Sequence, residues 1–401
     1  MAITDKEQGV WELDEVYNKI NQGGIWSYDG IGALYAWGDG AVGGLGLNNK
    51  TDLSSPTQIP GTTWGTTFTS LDCGNQGASA IKTDGTLWAW GYNSYGELGF
   101  NNGTQYSSPK QVGTDTTWST IARGLEFSLS TKTDGTLWAW GRNYWGQLGQ
   151  NESTNYYSSP KQIPGTSWKN TIRQGANLSS VLAIKTNGTL WSWGRNLHTG
   201  CLGQNNETDY SSPRQVGTNT TWNEVGRSTK NLSCAIKTDG TLWTWGSSNY
   251  GQLGLNETGT GVNKSSPCQV PGTTWSKVCM SEGSTLAIKT DGTLWVWGRK
   301  NWGLLGQNDM SINNQSSPLQ IPGTTWNDCD VGMRQNFATK TDGTLWGWGV
   351  NGEGQLGQNS IIDPGPGDGI SSPTQIPGTW GLCAVGGHSG TVQNILGVKL
   401  L

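Results

Sequence analysis

The residues of this 401-residue chain best suited to chemistry are two histidines, seven cysteines and an aspartate that recurs in one short motif. His198 and His388 stand 190 residues apart, and neither belongs to a His-x-x-x-His ligand spacing. Cys73, Cys201, Cys234, Cys268, Cys279, Cys329 and Cys383 form no Cys-x-x-Cys pair, so they read as structural thiols. Cys329 and Cys383 both lie three residues after a repeated tryptophan, which predicts one buried small slot. The aspartate of Lys-Thr-Asp-Gly-Thr (Asp84, Asp134, Asp239, Asp291, Asp342) has the type of a catalytic carboxylate, but turn chemistry accounts for it better. The Gly-x-Leu-Gly loops lack the following helix and lysine of a phosphate cradle. The expectation is a protein that is not an enzyme, with no cofactor and no metal.

The elements that carry these residues follow from a repeat. Leu-Trp/Tyr-x-Trp-Gly closes on Trp37, Trp90, Trp140, Trp193, Trp245, Trp297 and Trp348, at spacings of 53, 50, 53, 52, 52 and 51 residues. A period near 50 denotes one supersecondary unit copied around a closed body. Each unit offers four short strands: Thr-x-Trp with an apolar stretch, an alternating strand such as Ser79-Ala80-Ile81-Lys82, the Leu-Trp-x-Trp-Gly strand, and Ser-Ser-Pro-x-Gln. Asp-Gly between the second and third predicts a two-residue hairpin, and proline marks the fourth as an edge. The predicted fold is all-β: a seven-bladed β-propeller of four-stranded blades. Twenty of the 24 tryptophans fall in the repeat slots, as a buried pair and a Thr-x-Trp partner between blades.

Residues 34–401 make up the propeller, closed by pairing of residues 34–59 with 380–396. There Trp380 to Val385 and Ser389 to Ile395 match first and second strands. Residues 1–33 stand outside the repeat. Val10, Trp11, Leu13, Tyr17 and Ile20 suggest a short amphipathic helix that anchors the chain to a partner or packs on the body. The net charge of -4 disfavours nucleic acid, no apolar run is long enough to enter a membrane, and residues 1–8 lack the apolar core of a signal peptide.

The Gly-Gln-Leu-Gly loops (Gly146 to Gly149, Gly251 to Gly254, Gly354 to Gly357) and Val385-Gly386-Gly387-His388-Ser389 resemble the regulator-of-chromosome-condensation repeat. The resemblance covers residues 34–396 and implies a seven-bladed propeller. It makes His388 a structural residue in a family slot. That family includes exchange factors for a small GTPase and inhibitors of β-lactamase. Six of the seven units depart from its Gly-x-x-His, with Phe127, Asn177, Asn231 and Asn336 at or near the slot. The low charge and the opening Gly9-Val10-Trp11-x-Leu13-x-x-Val16-Tyr17 also resemble phage proteins carrying such repeats.

Strand alternation puts the Asp-Gly turns and Pro-Gly-Thr links on a nearly constant face. The first-to-second and third-to-fourth loops then share a variable one, the longest being 255–264, 307–315 and 358–370. Binding collects on varied loops over a rigid frame. Tyr92, Phe127, Arg142, Tyr144, Arg195, His198, Arg299 and Lys300 break the repeat there and are the expected contacts. The expectation is a phage virion protein, made in the host cytoplasm, with its oligomeric state set by a virion partner held at the N-terminal segment. Its variable face would meet a host receptor, a glycan or another virion protein. The alternative is a cytoplasmic protein-binding inhibitor or exchange factor.

Overall fold

The computed structural model describes residues 33–74, 76–170, 179–259, 262–308, 313–361, 369–386 and 394–399. Their strands form seven antiparallel blades, each ordered first to fourth from the axis outward. Blade 1 joins the two ends of the chain: Trp380–Val385 and Asn394–Lys399 are its inner strands, Ala33–Gly38 and Leu53–Gln58 its outer ones. Blades 2 to 7 follow in order, starting at Leu71–Gly74, Trp118–Arg123, Ser180–Ile184, Trp222–Val225, Trp275–Met280 and Trp326–Val331. Blade 4 shows three strands, because 171–178 lie outside the described residues. The expected helix over 1–33 lies outside them too, apart from Ala33, which opens a strand.

One joint is built identically seven times. The second tryptophan of each Trp-x-Trp is fully buried and donates its indole N–H to a carbonyl in the preceding blade's Gly-x-Leu-Gly loop, as Trp140 does to Glu97, Trp193 to Gln147 and Trp297 to Gln252 at 2.9 to 3.0 Å. The asparagine two residues past that loop adopts a left-handed backbone, and its N–H reaches the first serine of the next Ser-Ser-Pro, as from Asn205 to Ser265 at 2.7 Å. The blades approach so closely there that a Cβ on Gly146 would lie 2.4 Å from the Cα of Ser211. Glycine is needed for that space as well as for its φ of 76°.

Four expectations need correction. The tryptophan pair is not buried as a pair. Only the second ring is; the first, on the same face of the strand but nearer the Asp-Gly turn, stays half-buried at the constant-face rim. Its N–H donates to a threonine hydroxyl, which donates to the turn aspartate: Trp138 to Thr136 at 2.9 Å, Thr136 to Asp134 at 2.7 Å. The hairpin loop is longer than two residues. Lys132 N–H pairs with the Thr136 carbonyl, leaving three residues between, of which only Gly135 has positive φ. That is a turn closed by a left-handed glycine, stabilised by the aspartate bond just described.

The strand expected to end at Ile395 runs on to Lys399, as Asn394–Lys399; residues 389–393 of the expected strand lie outside the described residues. The register is set by Lys399, which fills the repeat's lysine slot over the ring of Tyr35, and by Ala33 opposite Lys399. Trp64 and Trp168 begin no strand, although Thr-x-Trp does so in the other five blades; they make isolated bridges to Lys82 and Lys185, and in blade 2 the inner strand starts at Leu71. The extra residues between Trp64 and Leu71 bring Phe68 to the axis, against Leu71, Ile121 and Cys383. Cys329 and Cys383 are both buried beside the axis, as their shared slot predicts.

Candidate binding face

On the variable face, arginines are held flat by rings from neighbouring loops. Arg142, just past its Trp-Gly, lies over Tyr95 of the preceding blade at 5.1 Å and over Tyr144 at 5.0 Å, and pairs with Glu126. Arg195 lies over Trp145 at 4.5 Å. Arg299 lies over Tyr250 at 4.7 Å and Trp302 at 4.0 Å, and Arg334 covers the same indole at 4.5 Å. Such stacks fix a guanidinium in place, and Glu126 holds one edge of Arg142 besides.

The rings are set by the loop below them. In Gly-x-Leu-Gly, the side chain of x folds back onto the backbone N–H of the ring residue: Glu97 to Tyr95, Gln147 to Trp145 and Gln252 to Tyr250, at 2.8 to 2.9 Å. Blades 4 and 6 carry Cys201 and Leu304 at x. Their loops hold His198 at φ 72° and Trp302 at φ 61°, a conformation costly for bulky residues.

The structure brings Arg142 together with Tyr144, and places Arg195 and Arg299 in the equivalent loops of other blades. Tyr92 is half-buried with its N–H on the Gln76 carbonyl; Tyr144 and His198 are exposed; Lys300 is half-buried beside Arg299. Phe127 is a correction. It is 0% exposed and belongs to the core between blades 3 and 4. Its ring occupies the space over Gly124, where a Cβ would come within 1.9 Å of it, so it contacts nothing outside. Val10, Trp11, Leu13, Tyr17, Ile20 and His388 lie outside the described residues.

Sequence reasoning missed a buried ionic group on the axis. Arg227 donates to Asp330 at 2.5 Å, stands 3.6 Å from Asp72, and also reaches the carbonyls of Cys73 (3.2 Å) and Val385. The inner strands of blades 1, 2 and 7 meet on one guanidinium supplied by blade 5. The two carboxylates accept backbone N–H groups as well, Asp72 from Arg123 and Asp330 from Val385. Burial pushes Asp72 up to about 6 despite Arg227, while the two aspartates overcome burial to raise Arg227. Arg227–Ser228 has left its own blade to pair in parallel with Cys279–Met280 of blade 6. The available signal was a charge at an inner-strand slot: Arg123 and Arg227 both lie five residues after a Thr-x-Trp tryptophan.

Glu97 is the second missed group. Where three other blades have glutamine, its carboxyl is buried and one oxygen has no partner. Burial raises it to about 7, against the opposing pull of its own backbone, Arg123 and the Tyr95 N–H. Among the described residues no group of three or more His, Cys, Asp or Glu side chains could hold a metal ion.

Residues 32–81, 84–130, 134–179 and 239–288 match the regulator of chromosome condensation (RCC1) repeat, and 68–97 match a second profile of the same repeat. This is an RCC1-repeat propeller. Over 335 residues it is 27% identical to the ultraviolet-B receptor UVR8 of Arabidopsis thaliana, covering 82% of this chain and 63% of that protein. Over 350 residues it is 25% identical to the human E3 ubiquitin-protein ligase HERC2, covering 82% of this chain and 6% of the ligase. The chain thus spans less than two thirds of these relatives. Among solved structures, Prp20p of Saccharomyces cerevisiae superposes with a TM-score of 0.78 at 17% identity, over 98% of this chain and 96% of that one. Human WBSCR16 superposes at 0.75 and 20% identity, over 92% and 98%. At such identities the superpositions concern the fold alone. The RCC1-repeat resemblance is thereby upheld, and the virion resemblance gains no support from these relatives.

Proposed function

We propose that this RCC1-repeat propeller is a non-catalytic protein-binding module, with its partner held on the variable face by Arg142, Arg195, Arg299 and Arg334. The observation that carries this reading is the stacking of each guanidinium on a ring contributed by a neighbouring loop. Arginines and aromatics, already immobilised, are the residue types that dominate binding at protein interfaces and lose little entropy on docking. The strongly shifted carboxylates Glu97 and Asp72 lie beneath this surface against arginines and so serve its frame. The structure of Prp20p was described with that protein's binding to Gsp1p and histones, a precedent for protein ligands on this fold.

The test is a pull-down from the cell that makes the protein, comparing wild type with the triple variant Arg142→Glu, Arg195→Glu, Arg299→Glu. Each partner recovered would then be titrated as a purified protein, with nucleotide release measured if it is a GTPase. A partner lost with the triple variant supports the reading. Undiminished binding by that variant overturns it.

A further inference from the structure

A groove runs between adjacent blades on the outer rim, away from the arginine face, and it is built the same way in two places. Between blades 4 and 5 its volume is about 360 Å³, with Gln204, Asn205, Trp222, Lys237, Trp243 and Pro267 in its walls. Between blades 6 and 7 it is about 350 Å³, with Gln307, Asn308, Trp326, Lys340, Trp346 and Pro373 in the same positions. Both lie at the lower end of the roughly 300–1,000 Å³ usual for small-ligand sites. In each, the lysine ammonium rests over two indoles, Lys237 at 3.9 and 4.9 Å, Lys340 at 4.6 and 4.7 Å. In the first groove the indole N–H of Trp222 is buried and has no partner. Among the described residues neither lysine forms an ion pair.

Blade 3 indicates what such a lysine takes. Its link reads Gly113-Thr114-Asp115-Thr116-Thr117-Trp118, where blade 5 reads Gly217-Thr218-Asn219-Thr220-Thr221-Trp222. Asp115 lies 2.5 Å from Lys132, which sits over Trp118 and Trp138 as its counterparts do over their indoles. The lysine and a hydrogen bond from Thr117 hold this aspartate down at about 2. An internal carboxylate thus occupies in blade 3 the place that Asn219 leaves uncharged in blade 5.

We infer that the grooves at Lys237 and Lys340 bind an acidic saccharide, its carboxylate on the ammonium and its ring against the tryptophan and proline walls. The asparagine amides offer hydrogen bonds to hydroxyls. The outer strands argue against an acidic peptide as occupant. Pro267 and Pro373 each remove an N–H from the outermost strand, which makes it a poorer template for an added peptide strand. Equivalent grooves on one ring suit a polymer with repeated uronate units, which gains from simultaneous engagement.

The test uses calorimetry on the full chain with a short oligogalacturonate, its methyl ester and an oligoglutamate. The uronate is expected to bind and the ester to fail. Asn219→Asp, copying Asp115, should remove the site at Lys237, and adding Lys340→Gln should weaken binding about tenfold or more. Lys237→Arg keeps the charge and should still bind; circular dichroism checks that each variant is folded. Absence of uronate binding, equal binding of the ester, or an unaffected double variant overturns the inference. Binding of oligoglutamate in place of the uronate also overturns it, in favour of an acidic peptide.

Discussion

Trp37 donates its indole N–H to the carbonyl of Gln355 at 2.9 Å, across 318 residues of sequence. The other six blades make the same bond to a neighbour about one repeat away. This one alone closes the ring, together with Asn394–Lys399 lying beside Ala33–Gly38. Trp37→Phe removes the donor together with part of the indole's volume, leaving a buried carbonyl without its bond beside a small cavity. The expected cost is about 1–3 kcal/mol, read as a lower urea midpoint with an unchanged m-value. Deleting residues 394–399 removes a whole strand between the chain's two ends, and the cooperative transition should be lost.

The Arg227 centre predicts a larger effect. Arg227→Met leaves Asp72 and Asp330 buried without the guanidinium that bridges them, which should cost about 3–5 kcal/mol. Adding Asp72→Asn should return part of that loss. A double variant no more stable than the single one would show that charge burial does not set the cost.

Glu97 predicts a dependence on pH with a definite sign. Its folded pKa is raised from 4.5 to about 7, so the folded protein holds a proton that the unfolded chain has released between those values. Stability therefore falls as pH rises from about 4.5 to about 7. Glu97→Gln, the residue of three other blades, should remove Glu97's share of that slope, leaving the share of Asp72 below about pH 6, and raise stability above pH 7 by at most about 3 kcal/mol. Urea midpoints of both proteins across this range decide it.

The turn aspartates work in the opposite direction. Asp84, Asp134, Asp239, Asp291 and Asp342 are all held below the usual carboxylate range, first by the threonine hydroxyl two residues on. Their contribution is complete above about pH 4 and lost as pH falls through the folded values. The Glu97→Gln protein should keep this acid limb unchanged.

Phe127 and Tyr144 separate frame from face. Phe127→Ala should cost about 3–5 kcal/mol, because it empties a core site with no room to collapse around Gly124. Tyr144 is 64% exposed, so Tyr144→Ala should stay within about 0.5 kcal/mol in stability and act on partner binding. Thermal melts distinguish the two.

The sequence by itself determined the blade. A period near 50, Asp-Gly-Thr, the paired tryptophans and Ser-Ser-Pro each act on close neighbours within a strand or turn, and local geometry reads them out alike in every copy. It also showed Arg142, Arg195 and Arg299 as departures from the repeat on one face. Only the tertiary structure decided what those departures meet. Phe127 and Tyr144 both break the pattern, yet strand pleat buries one and loop position exposes the other. Arg227, Asp72 and Asp330 lie in three different repeats, and no local rule relates them. Closing seven twisted sheets brings their inner strands to one axis, where charges shed water and must satisfy one another. The lysine cages divide between the two levels: the repeat places its lysines over aromatic rings, indoles in six blades and Tyr35 in the first, while the folded link brings Asp115 to only one of them.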